Sequence, residues 1–362
     1  MPDLKSYQRN IWVQRFRIKW LLALAILMIL GSCTPVPADA TSAISASSAT
    51  PELVNPTPGI TGTPTATPVP KGSEGNPVTL GIIYSDAGKQ APAAADFVQY
   101  LADNTGYIFA LQTYKSEYDL LTAMDKGEVS LAWLQPEEYL YASSVNIASI
   151  AFLTSHYGLY GYGSYVFVKS DSKFRQFYNP DTGNSSVNAS TALRQFSQKA
   201  PCLVNSRSIS GYAYPLGLLA ELNIITKEPV VMQTHEAVIR AVYTGGICDF
   251  GFTYGITGDP RTSSSIQADL PDVMDKVLIA WQSPADIPSL NLSYATLLSG
   301  DIRFKISSAL EQFVKDPNGL QTLSQMTNYA IDEIRPASDD EYENLRAALQ
   351  AAEINVQDLL TK

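Results

Sequence analysis

The sequence predicts an α/β protein built as two similar lobes, with a ligand cleft between them and a hinge of two strands. Three observations predict it. The stretch VTLGIIYS (78–85) is an apolar run of strand length, APAAADFVQYLADNTGY (91–107) spaces its apolar residues as a helix does, and IFALQT (108–113) is a second strand. Strand, helix and strand in that order favour a parallel sheet with helices on its faces. A second unit occurs twice. YDLLTAMDKGEVSLAWL (118–134) and EAVIRAVYTGGICDFGF (236–252) align without gaps, placing Ala123 on Ala241, Gly127 on Gly245 and Val129 on Ile247. Each copy reads as a short amphipathic helix, a glycine just past its end and a strand. Finally, YGYGSYVFVKS (160–170) and KVLIAWQ (276–282) read as strands that carry the chain from one lobe to the other and back.

Along the chain, Lys5, Arg9, Arg15, Arg17 and Lys19 precede the apolar run Leu21 to Leu30, which ends in Gly31, Ser32 and Cys33. A basic region, a short apolar region and small residues before a cleavage point make a secretory signal over residues 1–33. The LGSC sequence also resembles the bacterial lipobox, which implies a lipid on Cys33, a membrane anchor and an extracytoplasmic location. Residues 34–76 are rich in Thr, Ser, Pro and Ala, a composition that buries no core and serves as a tether. The folded body then divides into a first part of lobe one (77–162), lobe two (163–275), and a second part of lobe one with the C-terminal helices (276–362).

The 362 residues carry a formal net charge of -10, with no Lys/Arg cluster beyond the N-terminus. That excludes a nucleic-acid surface, which needs clustered cations, but not a small anion held by neutral N–H and O–H donors. The chain has two histidines, neither in metal-ligand spacing, and implies neither a metal nor a cofactor. Cys202 and Cys248 remain once Cys33 is set aside, both in expected core strands, and are either a disulfide or a buried thiol pair. No nucleophile elbow, P-loop or catalytic Cys/His pairing occurs, so the reading is a binding protein and not an enzyme.

In SRSISGYAYPLGLL (206–219) a polar, flexible run opens into an apolar helix, with Ser208, Ser210 and Gly211 at its start. The repeat sets Glu117 and Tyr118 opposite His235 and Glu236 at two further helix starts. Three helix N-termini converging on one point would present N–H donors and positive dipole ends to a tetrahedral oxyanion.

From about residue 78 to 350 the chain resembles the phosphonate-, phosphate- and phosphite-type substrate-binding proteins of ABC importers, which have the type II periplasmic-binding-protein fold. The stretches that carry the resemblance are GEVSLAWLQPEEY, GYGSYVFVKSDS, SRSISGYAYPLGLLAE, THEAVIRAVYTGGICDFGFTYG and VLIAWQSPADIPSLNLSYATLL. It implies that Ser208 and Ser210 cradle the phosphonyl oxygens, that His235 contacts them, and that Tyr118 and Tyr162 line the pocket. It also implies an ABC permease as partner, with the protein acting as a monomer. Two positions depart from the family pattern. Ile209 stands where a hydroxyl is usual, and Leu290 aligns with an amine-recognising Asp, so a cationic aminoethyl group would lack its counter-ion. Arg207 either compensates by a bidentate contact to the anion or sits solvated on the rim.

Three alternatives remain open: a sensing module for a membrane receptor or kinase, a binder of a sulfonate or thiamine-precursor-like ligand, and a hydrolase using Ser208 with His235. Trp133 and Trp281 are expected in the core. The tyrosine-rich SHYGLYGYGSYVFV (155–168) reads as a cleft wall or as hinge packing. The C-terminal segment reads as a helix on lobe one, started by a capping box of Ser338 and Glu341.

Overall fold

The computed structural model describes residues 68–361; the signal region, Cys33 and tether residues 34–67 lie outside the described residues. In chain order the strands are β1 (Val78–Ile83), β2 (Phe109–Tyr114), β3 (Leu131–Leu134), β4 (Ala148–Ser155), β5 (Gly161–Lys169), β6 (Tyr178–Asn179), β7 (Asn184–Ser185), β8 (Pro201–Leu203), β9 (Val230–Val231), β10 (Phe250–Gly255), β11 (Val277–Gln282), β12 (Ile287–Pro288), β13 (Asn291–Ala295) and β14 (Glu333–Pro336). One sheet has the order β14-β4-β13-β3-β1-β2, and the other β11-β5-β10-β8-β9, with β12 also on β5.

The two sheets share a pattern. In the first, β1 lies between β2 and β3 with both pairings parallel, and β13 adds antiparallel to β3. In the second, β8 lies between β9 and β10, again parallel, and β5 adds antiparallel to β10. The antiparallel strand in each sheet enters from the other lobe: β5 follows β4, and β13 follows β11 and β12. The sequence repeat is therefore a repeat of topology. Its glycines, Gly127 and Gly245, both have positive φ, which lets the chain leave the helices Glu117–Asp125 and His235–Thr244 and turn into β3 and β10.

Several expectations need correction. The segments 160–170 and 276–282 are not the crossings; β5 and β11 pair antiparallel side by side within the second sheet. The chain crosses at residues 156–160 and 283–290, so lobe two extends through Gln282, because a strand hydrogen-bonded along its length belongs to its partner's sheet.

The tether's last residues are docked. Gly72 N donates to Asn76 O at 2.7 Å and Ile108 N to Gly72 O at 2.8 Å, which fastens this turn beside β2.

The capping box does not form. Glu341 instead pairs with Arg335, and the helix Glu343–Ala351 follows a 3-10 turn over Asp339–Tyr342.

That helix packs on lobe two, not lobe one. A Cβ on Gly217, in the helix Tyr214–Glu221, would lie 2.4 Å from Ala348 O, so the helices touch backbone to backbone. The final helix, Val356–Thr361, meets the lobe-one helix Pro136–Ser144. One apolar cluster accordingly runs from Leu120 and Leu140 of lobe one through Leu218 and Phe250 of lobe two to Leu345 and Leu349. Each such leucine contributes roughly 1.5–3 kcal/mol by burial.

A disulfide joins Cys202 to Cys248 with Cα atoms 5.6 Å apart. Cys202 lies buried on β8 as expected, whereas Cys248 is half-buried in the turn before β10 and not in a strand.

Candidate ligand site at the helix starts

The polar run 206–219 folds as a widened turn before it becomes an α-helix. Ser208 is extended and its Oγ accepts from Gly211 N at 3.0 Å. Tyr212 N and Ala213 N both donate to Ser208 O, and Tyr214 N reaches back to Ile209 O, giving a π-helical turn over Ile209–Ala213. The cause lies in the sequence and in the neighbouring strands. Pro215 has no N–H for Gly211 O, which instead accepts from Val204 N at 2.9 Å, and Ser210 O accepts from Ser164 Oγ at 2.7 Å. Two carbonyls are thus taken out of the α ladder, and the first turn opens around Ser208.

Beside Ser208 stands His235, the first residue of its helix, where Thr234 Oγ1 caps Ala237 N. Its Nδ1 accepts from Tyr254 N at 3.3 Å, and its Nε2 lies 3.5 Å from Ser208 Oγ. With Nδ1 accepting, Nε2 is the protonated nitrogen. Burial pushes the imidazole down to about 4, so it stays neutral at ordinary pH. The site therefore offers a neutral N–H, the Ser208 hydroxyl and the start of a helix.

Ile209, at the position where a hydroxyl was looked for, is 4 % exposed and belongs to the apolar cluster beneath the turn. Ser210 and Gly211 are also buried. Tyr162 is half-buried on β5 opposite Ile287, its hydroxyl pushed well up by burial, with the charge of Glu137 adding to the effect.

Arg207 does not reach into the site as a free cation: its Nη2 bonds Glu117 Oε1 at 3.2 Å, from lobe two to lobe one. Tyr118 is 52 % exposed on the first turn of the lobe-one helix, whose cap is Ser116 bonded to Asp119 N. Ser116 and Thr234 occupy equivalent positions of the repeat, a pairing of cap residues that the sequence already contained.

The structure adds residues that the sequence reading missed. Pro136 starts a helix directly after β3, and Glu138 closes a capping box, its Oε2 accepting from Gln135 N at 2.7 Å. Burial pushes the Glu138 carboxyl up to about 8, with the charge of Glu137 adding to the rise. Glu137 is likewise raised by burial, while Arg207 pulls it down. The signal for both was the run QPEEY straight after an apolar strand, where the chain leaves the C-terminal end of a parallel strand. Trp281 is buried as expected and donates to Val187 O at 3.1 Å. Trp133 is half-buried and packs against the lobe-one core, where it also lines a cavity with Tyr84, Glu117, Gln135, Glu138 and Leu290. Among the described residues, no group of three or more His, Cys, Asp or Glu is placed to hold a metal ion, and no helix is long and apolar enough to cross a membrane.

Residues 83–342 match the family model described as "ABC transporter, phosphonate, periplasmic substrate-binding protein". The fold is similar to that of XAC2383 from Xanthomonas citri, solved bound to ATP (TM-score 0.56, 15% identity, 78% of this chain and 98% of that one). The same protein bound to chloride ion gives a TM-score of 0.57 at 16% identity, with coverage of 78% and 98%. PhnD1 from Prochlorococcus marinus, solved with methylphosphonate, is similar at 14% identity over 76% of this chain and 98% of that one, with a TM-score of 0.48. No curated protein matches the chain.

Proposed function

Because the chain belongs to the family of periplasmic phosphonate-binding proteins of ABC transporters, we propose that it holds the phosphorus oxyanion of its ligand at the lobe-two helix starts and delivers it to a permease. Ser208, the backbone around Ser210 and Gly211, and His235 are the anion contacts in this reading, and Tyr162 and Tyr118 border them. The observation that carries it is the His235 pairing. Tyr254 N–H on Nδ1 aims a neutral Nε2–H donor at the Ser208 side of the turn, where a helix start adds its positive end. Neutral donors bind an oxyanion without first losing a counter-ion.

Closure of the two lobes over the ligand stabilises the state that a permease reads, in proportion to the ligand's differential affinity for it. A lipid on Cys33 would keep a single copy of the protein at the membrane outside the cytoplasm.

The hydrolase alternative fits poorly. A general base must accept the serine proton, but here Nδ1 already accepts from backbone, so Nε2 is a donor toward Ser208.

Calorimetric titration with phosphate, phosphite, methylphosphonate and sulfate tests the reading. Micromolar or tighter binding of a phosphorus oxyanion, weakened at least tenfold in Ser208→Ala and in His235→Ala, is the expected result. Tight binding that neither substitution alters would overturn the site, and binding of sulfate alone would overturn the ligand class.

A further inference from the structure

The helix Tyr214–Glu221 is fixed about its axis: Leu218 and Leu219 are buried, and a Cβ on Gly217 would lie 2.4 Å from Ala348 O. A change in the turn before it therefore falls on Ser208, Ile209 and Ser210. That turn has two registers open to it. In an α register Tyr214 N would donate to Ser210 O and Ala213 N to Ile209 O. Here Tyr214 N donates to Ile209 O and Ala213 N to Ser208 O, each one residue further back. One residue of register is a rotation of about 100° around the helix axis. Such a rotation would carry Ser208 Oγ away from His235 Nε2, which now lies 3.5 Å from it.

One hydroxyl works against the α register. Ser164 Oγ, on β5, donates to Ser210 O at 2.7 Å and draws that carbonyl out of line with Tyr214 N. Ser164 is 0 % exposed, so water does not compete for the bond. Its main chain is clasped as well: Ser164 N donates to Ser283 Oγ at 2.8 Å, and Ser164 O accepts from Ser283 N at 2.9 Å. A Cβ on Gly163 would meet Ser283 Oγ at 2.3 Å, so the clasp requires a glycine there. Ser283 opens the second crossing between the lobes, and the hydroxyl that sets the turn thus stands at the root of that crossing.

We propose that Ser164 is a positioning residue for the oxyanion: its hydroxyl holds the turn Ile209–Ala213 in the π register, and that register is the one that binds. Ser164 itself touches no ligand. It acts by keeping Ser208 and the N–H groups that follow it beside the His235 donor. With Ser164 absent, the turn would regain its α bonds and face the anion with a different set of atoms. This deepens the function proposed above and rests on it.

The test is Ser164→Ala, read by calorimetric titration with methylphosphonate, phosphite and phosphate and by NMR couplings across the hydrogen bond of the Tyr214 amide. The affinity is expected to fall about tenfold or more, and the coupling to move from the Ile209 carbonyl to the Ser210 carbonyl. A residue that only stabilised the fold would leave that coupling on Ile209. Unchanged affinity, or weaker binding with the coupling still on Ile209, overturns the positioning role and leaves the anion site standing. A second measurement uses the unaltered protein and so stands whether or not the variant folds. With the oxyanion bound, the Tyr214 amide is expected to couple to Ile209, and coupling to Ser210 in that complex overturns the proposal. Binding of none of the three anions by the unaltered protein overturns the proposed function and the positioning role with it.

Discussion

Arg207 Nη2 lies 3.2 Å from Glu117 Oε1, and these residues belong to different lobes. The pair joins the lobes at the edge of the proposed anion site, so one contact ties the lobe-one helix start to the turn that carries Ser208. Both side chains are partly solvated, which limits the contribution of such a pair to about 0.2–1 kcal/mol.

Glu117→Gln should therefore release the lobes without unfolding them. Small-angle scattering of the ligand-free protein is expected to show a larger radius of gyration in the variant. Raised salt should shift the wild type the same way, since screening weakens a partly exposed pair. Identical scattering for both proteins would mean that the contact holds nothing closed.

Glu138 makes stability fall as pH rises. Its folded value of about 8 lies above the ordinary carboxylate value of 4.5, so the folded state keeps a proton that the unfolded state has released between those limits. The contribution is fully present below pH 4.5 and is lost progressively up to about pH 8. Glu138→Gln, which still accepts from Gln135 N, should raise the chemical-denaturation midpoint at pH 8, by the equivalent of about 1–2 kcal/mol, with little change at pH 4.5. A variant weaker than wild type at pH 8 would contradict this.

His235 works in the opposite sense. Its folded value of about 4 lies below 6.5, so the stability it contributes is present above pH 6.5 and is lost as pH falls toward 4. The NMR titration of its ring, assigned by its absence in His235→Gln, should show a midpoint near 4 and no change between pH 5 and 8. A midpoint above 6 would mean that the ring is not enclosed by Tyr254 and the Ser208 turn.

The Cys202–Cys248 bridge closes a loop with a sequence separation of 46 residues. Loop-closure entropy for that length corresponds to about 4 kcal/mol, and removal of such bridges typically costs about 2–5 kcal/mol. Reduction, or the Cys202→Ser and Cys248→Ser double variant, should lower the urea midpoint by an amount in that range. The loop contains Ser208 and His235, so weaker oxyanion binding is expected as well. An unchanged midpoint would show that the packing around β8 and β10 suffices.

The sequence by itself determined the two α/β lobes, the repeat of helix, glycine and strand, the helix starts, and the departures at Ile209 and Leu290. Those features are local. Apolar period, cap residues and glycine position are set within about ten neighbouring residues, so periodicity and spacing reveal them. Only the tertiary structure decided what each helix start faces. The widened turn at Ser208 depends on Ser164, 46 residues before Ser210, and the tautomer of His235 depends on Tyr254, 19 residues after it. The C-terminal helix also could not be placed from its own pattern. An amphipathic stripe specifies that a face is buried but not against what, and here the close approach of Gly217 to Ala348 put it on lobe two. The same reason hid the lobe-one cavity. Tyr84, the stretch from Trp133 to Glu138, and Leu290 lie far apart in the chain and meet only because β1, β3 and the crossing into β13 end at one edge of one sheet.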